Sequence, residues 1–398
     1  MATPTGTVRG RGVSVLQHWA SEDSEALNDV IEEFHRRSGE RVDSESLPIS
    51  TLRLNVKGRI LSEDPPDVWS DWPGKNLAPV VEAGAIADIT DVWTDGGMVD
   101  NYADGPTEAA RFDGRFYCVP LDIYRINNLY YNVDLVAEAG VDVGSIGGPD
   151  AFVALLERLD DELSVAPIQI GARDPFGVLQ LWETFLLAHG GASTYRALLD
   201  GGVGAHRDAV RSATESLEAV LGVLPSDAHF VASEDADNRF ARGESVFLHN
   251  GTWAVGRISA TEGFTFGRDW EHEPFPGTDG QFLMNMNSLV PAAQAADDEA
   301  VTEFLRFAGS SDGLEIFNAE VGAVPPREDV PLDSLHPLTQ RLTRESERAD
   351  NLPSMCHGLG VDPDVLVELK SVTASHLADR DVAETTRRFA EALSEAGS

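Results

Sequence analysis

Val13-Ser-Val-Leu-Gln17-His18-Trp19-Ala-Ser21-Glu-Asp23-Ser-Glu-Ala-Leu27 is the stretch whose reading decides the fold. Val13 to Leu16 reads as a short strand that runs into Trp19 and then into Ser21, an N-cap residue type. Glu22, Asp23 and Glu25 place acids in the first turn of the helix that follows, and Leu27, Val30, Ile31 and Phe34 give that helix one apolar face. A strand feeding a helix in this way is the repeating unit of a parallel sheet covered by helices. In such sheets ligands sit where the strands end and the helices begin. Trp19 at that junction either closes a core or walls a flat, polar-rimmed ligand, and the stretch by itself admits both.

The alternation continues. A strand is expected around 41–47, a helix around 51–62, a turn and short strand at Asp64-Pro65-Pro66-Asp67-Val68-Trp69-Ser70, a helix from Leu77 to Gly84, and a strand at Ile86 to Thr90. Tyr117 to Asn132 is extended and rich in aromatics and amides, and Pro120 excludes a central strand, so this segment reads as a crossover between two domains. Helices are expected near 150–163, 177–189, 206–222 and 233–242. A strand breaking into a turn and helix follows at Gly243 to Trp253, then a return to the first sheet through Met284 to Pro291, with helices from Asp297 to the end.

The chain has 398 residues, enough for two domains, and 42% of them are hydrophobic, which is a globular composition. Acids outnumber bases by 67 to 30, for a net charge of −37. Only Lys57, Lys75 and Lys370 are lysines, and the acids are spread along the chain. A dispersed acidic, lysine-poor surface suits a medium whose salt screens self-repulsion, a composition of the halophile type. It also argues against nucleic acid or an anionic membrane as partner. Cys118 and Cys356, the two cysteines, make no disulfide framework or four-ligand zinc site and read as small buried residues, with a single bridge between them as the alternative. No run is long and apolar enough to span a membrane. Residues 1–12 read as a loose leader without a signal peptide, so the chain is either cytosolic or a mature form restarted at Met1.

Phosphate-loop, dinucleotide, zinc-protease and esterase-elbow motifs are all missing from the sequence. His18, His249 and His357 lack metal-ligand spacing, and no cofactor or metal is expected. What recurs is aromatic and amide residues at strand-to-helix junctions: Gln17-His18-Trp19, Trp69-Ser70-Asp71-Trp72, Tyr124-Arg-Ile-Asn127-Asn128, His249-Asn250-Gly-Thr-Trp253, Asn285-Met-Asn287-Ser288 and Cys356-His357-Gly358. Aromatic faces stack on the C–H face of a sugar ring, while amides and carboxylates hydrogen-bond its hydroxyls in both directions. Any one junction could be plain core; their number points to a polar, uncharged ligand.

In the order Val15 to Trp19, Pro65 to Trp69, Gly114 to Pro120, Leu129 to Asn132, Gly243 to Trp253, Asn287 to Pro291, Phe304 to Phe307 and Gly313 to Phe317, the chain resembles the sugar-binding extracellular components of ABC importers. Within them it is most similar to glucose/mannose-type receptors, through Pro120 to Asn128 and Cys356-His357-Gly358. The resemblance implies an α/β fold of the periplasmic-binding-protein type II: two lobes with three hinge crossovers near 121–124, 273–276 and 321–326. Lobe one is then 13–121 plus 276–322, and the helix-rich lobe two is 123–274 plus 324–398. It implies a monomeric receptor that closes on a sugar, a monosaccharide such as glucose, and hands it to membrane permease subunits, from a position at the outer face of the cell membrane to which it is anchored. Sugar contacts are implied from His18, Trp19, Asp23, Trp253 and His357, with further polar contacts from Ser70, Asp71, Trp72, Asn285 and Asn287. Tyr124, Asn127 and Glu320 complete the expected site. Three positions depart from that group: His18 replaces a Trp, no Asp stands near Met286, and Glu320-Val321 replaces a Lys. An enzyme acting on carbohydrate is the rival from another class, and a sugar sensor shares the fold; the first would need two carboxylates flanking one ring.

Overall fold

Strand Val13–Gln17 pairs in parallel with Val42–Ser46 on one side and Val68–Asp71 on the other, with Val13 opposite Val42 and Val15 opposite Val68. The structure, a computed structural model, describes residues 12–19 and 22–396 without the side chains of Glu22, Asp23 and Glu320. The expected Ser21 cap and, apart from Gly12, the expected leader therefore lie outside the described residues. Helix Glu22–Ser38 buries Ala26, Leu27, Val30 and Phe34 against this sheet's core, and carries His35, Arg36 and Arg37 in its last turn, where the helix dipole favours positive charge.

Ser288–Pro291 then adds antiparallel to Val68–Asp71, and Val119–Pro120 closes the other edge, making a five-stranded mixed sheet. Pro120 sits at an edge, the place where a residue with no N–H costs the ladder nothing. A second sheet has the order Trp270–Pro274, Asn128–Asn132, Ser245–Leu248, Ala166–Gln169. Helices Pro149–Glu162, Pro175–Leu199, Arg207–Val223, Pro363–Asp379 and Val382–Ser394 belong to this half, and Trp182 stacks on Phe389 at 3.9 Å between ring centroids. A third, three-stranded sheet joins Asp350–Pro353, Gln281–Asn285 and Tyr124–Arg125. The chain thus enters the five-stranded sheet at Ser288, after Gln281–Asn285 has paired with the crossover segment.

Two hydrophobic cores form, one under each large sheet. Trp72 follows the first sheet's strand Val68–Asp71 yet packs into the second core, and Trp253 touches both. Two sequence expectations change. Ile86 to Thr90 makes an isolated bridge from Ile86 to Ala292 and then the helix Thr90–Asp95, instead of a strand. Asp88 accepts from the Thr90 amide (3.0 Å) and hydroxyl (2.6 Å), a local turn that competes with extension. Among the C-terminal helices, Asp350–Pro353 is a strand because Gln281 to Met284 supplies its parallel partner. Both cysteines are free and buried.

Candidate functional site

The two large sheets end their parallel strands toward one cavity of about 310 Å³. From the first sheet, Val13–Gln17 delivers His18 and Trp19, and Val68–Asp71 delivers Trp72. From the second, Ser245–Leu248 leads to Trp253, and Ala166–Gln169 leads to Phe176 at the start of its helix. Tyr124, Asn285 and Asn287 come from the crossover strands and their exits, and His357 from the loop after Asp350–Pro353.

The amide and both ring nitrogens of His18 are tied. Its amide donates to Ser70 Oγ (2.9 Å), its Nδ1 lies 2.6 Å from the same hydroxyl, and its Nε2 lies 3.1 Å from Asn287 Oδ1. Asn287 in turn donates from Nδ2 (2.9 Å) and from its amide (2.6 Å) to the buried carboxylate of Asp122. With the amide group of Asn287 spent on Asp122, its oxygen must accept, which assigns the His18 proton to Nε2 and leaves Nδ1 accepting from Ser70. Burial holds the imidazole neutral, with a pKa lowered to about 4. His18 therefore offers the cavity a ring surface, continued by Trp19 stacked on it at 5.1 Å. Trp19 packs edge-on to Phe317 (5.3 Å), and its Nε1 finds no hydrogen-bond partner among the described residues. Asn285 Oδ1, also buried, is in the same condition.

The opposite wall is His357, Trp253 and Phe176. The His357 ring meets Trp72 at 5.1 Å, Phe176 at 4.9 Å and Trp253 at 5.6 Å, all edge-to-face. Its loop hangs on Glu183, a buried carboxylate that accepts from the Tyr195 hydroxyl (2.5 Å), Ser354 Oγ (2.9 Å), the Cys356 amide (3.4 Å) and the Met355 amide. Burial raises the Glu183 pKa, and these donors oppose that rise. His357 Nδ1 lies 2.9 Å from Ser354 Oγ and 3.0 Å from Cys356 Sγ, so the loop holds the ring at Nδ1 and leaves Nε2 on the other edge. Burial pushes the His357 pKa well below the usual imidazole value, so this ring too is uncharged. Trp253 stands on the turn after His249, where a Cβ on Gly251 would come within 2.2 Å of the indole; only glycine lets the ring lie there.

Trp72 bridges the halves. Arg53 lies over it at 4.3 Å while binding Asp71 at 2.6 Å, and Lys370 approaches from the other core at 5.8 Å. Just beyond, the amides of Lys75 and Asn76 donate to the carbonyls of Leu359 (3.2 Å) and Gly358 (2.9 Å). This seam joins the strand-exit loop of the first sheet to the His357 loop.

Eight expected residues are thus brought together: His18, Trp19, Trp72, Tyr124, Trp253, Asn285, Asn287 and His357. Ser70 and Asp71 stand behind the wall, Ser70 orienting His18 and Asp71 bracing Arg53, the Trp72 amide and Asn76. Asn127 does not line the cavity: its amide is consumed by Thr278 (2.9 Å), the Gln281 carbonyl (3.0 Å) and the Leu283 amide (2.9 Å), where the chain crosses over. The side chains of Asp23 and Glu320 lie outside the described residues. Phe176, Ser233, Glu234 and Arg257 also line the cavity, and the sequence reading did not point to them. Asp174-Pro175-Phe176 was legible as a junction, an N-cap followed by Pro at the first helical position.

Residues 30–342 match the pattern of the bacterial extracellular solute-binding proteins. The chain belongs to that family. It is 29% identical over 369 residues to the xylose/arabinose-binding protein XacG of Haloferax volcanii, covering 90% of this chain and 79% of that one. It is 24% identical over 400 residues to an uncharacterized ABC transporter extracellular-binding protein of Pyrococcus horikoshii, covering 98% and 89%. Among solved structures, a chitin oligosaccharide binding protein superposes with a TM-score of 0.83 at 19% identity, covering 98% of this chain and 100% of that one. The bacterial solute receptor AcbH superposes with a TM-score of 0.82 at 15% identity, covering 96% and 97%. The two-lobed α/β fold of such receptors is therefore the fold of this chain.

Proposed function

We propose that this member of the family is the receptor of an ABC importer, that it captures one ring of a neutral sugar between its two halves, and that it delivers the sugar to a membrane permease. The observation that carries this reading is the cavity itself. Strand ends of two sheets converge on it, its walls are aromatic, and its two histidines are uncharged. The lining also carries Asn285, Ser233, Glu234 and Arg257, side chains whose amide, hydroxyl, carboxylate and guanidinium groups are of the kinds that meet sugar hydroxyls as donors and acceptors. The lobes we assign are 13–121 with 276–322 and 123–274 with 324–398, flexing at the three-stranded sheet. Ligand would bind the closed arrangement better than the open one and shift the population toward it. XacG is named for xylose and arabinose, so these pentoses stand beside glucose as the first sugars to try.

A glycosidase would need two carboxylates flanking one ring, about 5–9 Å apart. Among the described residues lining the cavity, Glu234 is the one carboxylate. The receptor is taken to work as a monomer, anchored at the outer face of the cell membrane. Calorimetry in molar salt with xylose, arabinose, glucose and mannose tests the proposal. Saturable binding without product supports it, while turnover, or silence toward every sugar by a folded protein, refutes it.

A further inference from the structure

Asp237 is a fully buried carboxylate, one turn along helix Ser233–Ala241 from Ser233, which lines the main cavity. Its two oxygens hold two different parts of the cleft. Oδ1 accepts from Asn250 Nδ2 (2.7 Å), and Oδ2 accepts from Nη1 of Arg257 (3.3 Å). Asn250 is itself fixed in its turn. Its Nδ2 also donates to Ser233 Oγ (3.0 Å), its Oδ1 accepts from the Gly251 amide (2.9 Å), and its main-chain carbonyl accepts from Asn128 Nδ2 (2.9 Å). That turn carries Trp253, which precedes helix Ala254–Ser259. Arg257 belongs to this helix and lines the cavity, with 22% of its side chain exposed. One buried carboxylate thus sets the guanidinium of Arg257 and the indole of Trp253 in a common frame.

An ion pair at this depth does little for stability that apolar packing would not do as well, because burying the charges offsets their attraction. What it supplies is direction. A guanidinium has donors only, in a fixed planar fork, and at the cavity wall that fork suits the oxygen of a hydroxyl. Burial raises the Asp237 pKa to about 7, against the pull of Asn250 and Arg257. The charged and titratable groups that face it are Arg257 from helix Ala254–Ser259, Glu234 from its own helix and Tyr130 from strand Asn128–Asn132, whose phenol burial keeps protonated. Burial keeps His18 and His357 neutral at pH 5.5 and above, so neither ring brings a titration of its own into that range.

We infer that Arg257 binds the captured sugar by donating to one of its hydroxyl oxygens, and that Asp237 is the positioning residue that aims it, so that sugar affinity follows the ionisation of Asp237. This rests on the sugar-receptor reading. Ionised, Asp237 accepts from Arg257 and holds the fork at the cavity wall. Protonated, it loses the ion pair and with it the hold on the guanidinium. Ligand therefore prefers the ionised form. Affinity is full above the Asp237 pKa and falls as pH drops through about 7. By the same linkage, sugar binding at pH 7 drives a proton off Asp237.

Calorimetry in molar salt from pH 8.5 to pH 5.5, with the sugar that the wild-type protein binds most tightly, tests the inference. Wild-type Kd weakens at least fivefold over that range, and at pH 7 the heat depends on the buffer in the sense of proton release. Arg257→Gln and Asp237→Asn, each checked for folding by thermal unfolding, bind about tenfold or more weakly than wild type at pH 8.5, the scale of one charge-assisted hydrogen bond. Their own pH profiles are flat within twofold. The double variant binds within twofold of the weaker single one, because both changes remove the same contact. A wild-type Kd that is constant across the range, or a pH dependence that survives Asp237→Asn, would overturn the inference and leave the receptor reading standing. Losses that multiply in the double variant would make the two residues independent and overturn it as well. Should Asp237→Asn fail to fold, the wild-type profile and Arg257→Gln decide the matter. Silence of the folded wild-type protein toward every sugar would overturn the receptor reading and the inference together.

Discussion

Gly74 is the residue through which closure can be tested most directly. Its φ is +73°, and a Cβ there would lie 2.7 Å from the Leu359 carbonyl, on the opposite side of the cleft. Gly74→Ala therefore does two separable things. The left-handed backbone costs an alanine about 1 kcal/mol in open and closed forms alike, and for lobes of this size that lowers Tm by about 2–4 °C. On the proposed closure, the clash belongs to the docked form alone, because it forces apart the seam made by Lys75 N to Leu359 O (3.2 Å) and Asn76 N to Gly358 O (2.9 Å). Two backbone hydrogen bonds at about 0.5–1.5 kcal/mol each give about 1–3 kcal/mol lost from the closed form alone, or about 5- to 150-fold in Kd. Calorimetry with the tightest sugar measures the second effect, and thermal unfolding of the free protein measures the first. A Kd within twofold of wild type together with the expected fall in Tm would refute the reasoning, since the seam would then contribute nothing to holding ligand.

Trp253→Ala removes the indole that meets both Tyr124 (5.6 Å) and His357 (5.6 Å), and weakens sugar binding by about 1–3 kcal/mol; an unchanged calorimetric Kd removes Trp253 from the pocket. His18 is neutral in the fold, with a pKa of about 4 against an ordinary 6.5. Below pH 6.5 the unfolded chain therefore takes up the proton first, and stability falls as pH drops from about 6.5 toward about 4, by at most roughly 1.4 kcal/mol for each pH unit crossed. Denaturant midpoints across that window should fall less steeply in His18→Gln, and an NMR titration of the His18 ring centred near 6.5 would contradict the assignment. Self-repulsion at a net charge of −37 is screened within about 3 Å at 1 M salt but only within about 10 Å at 0.1 M, so Tm falls as salt is withdrawn. A Tm that is flat or rises on dilution of KCl would overturn the screening argument.

The parts of the site legible in the sequence are those encoded locally. A strand end followed by a helix start leaves a pattern in a few consecutive residues, which is why His18, Trp19, Trp72 and Trp253 could be named before they were seen to share a cavity. Phe176 and Ser233 stand at junctions of the same kind, but with no amide or second aromatic beside them they look like ordinary helix starts. Asn127 shows the converse: an amide in an aromatic-rich segment whose hydrogen bonds all close within the crossover. Strand Asp350–Pro353 has no β-branched residue and ends in Pro, so only its pairing with Gln281 to Met284 makes it a strand. Glu183 was invisible for a different reason. It sits mid-helix in an apolar run, and its task, holding Ser354 to Cys356 and through them His357, appears only when residues 171 positions apart meet.

A cavity walled mainly by neutral rings and a chain of high net charge meet one physical constraint. Two arginines at the cleft are paired within the protein, Arg53 with Asp71 at 2.6 Å and Arg257 with Asp237 at 3.3 Å. Burial raises the Asp237 pKa to about 7, against the pull of Asn250 and Arg257, so even this carboxylate is close to losing its charge. At 1 M salt, a long-range attraction between receptor and ligand is cut off within about 3 Å. Stacking on an aromatic face and hydrogen bonding to a desolvated acceptor act at contact distance and escape that screening. On the proposed function, contacts made by the cavity's imidazoles, indoles and amides keep their strength at molar salt. It follows that sugar Kd should vary less than threefold between 0.5 M and 3 M KCl even as Tm climbs. A Kd that weakened steeply with salt would mean that ionic contacts, and so a charged ligand, carry the binding.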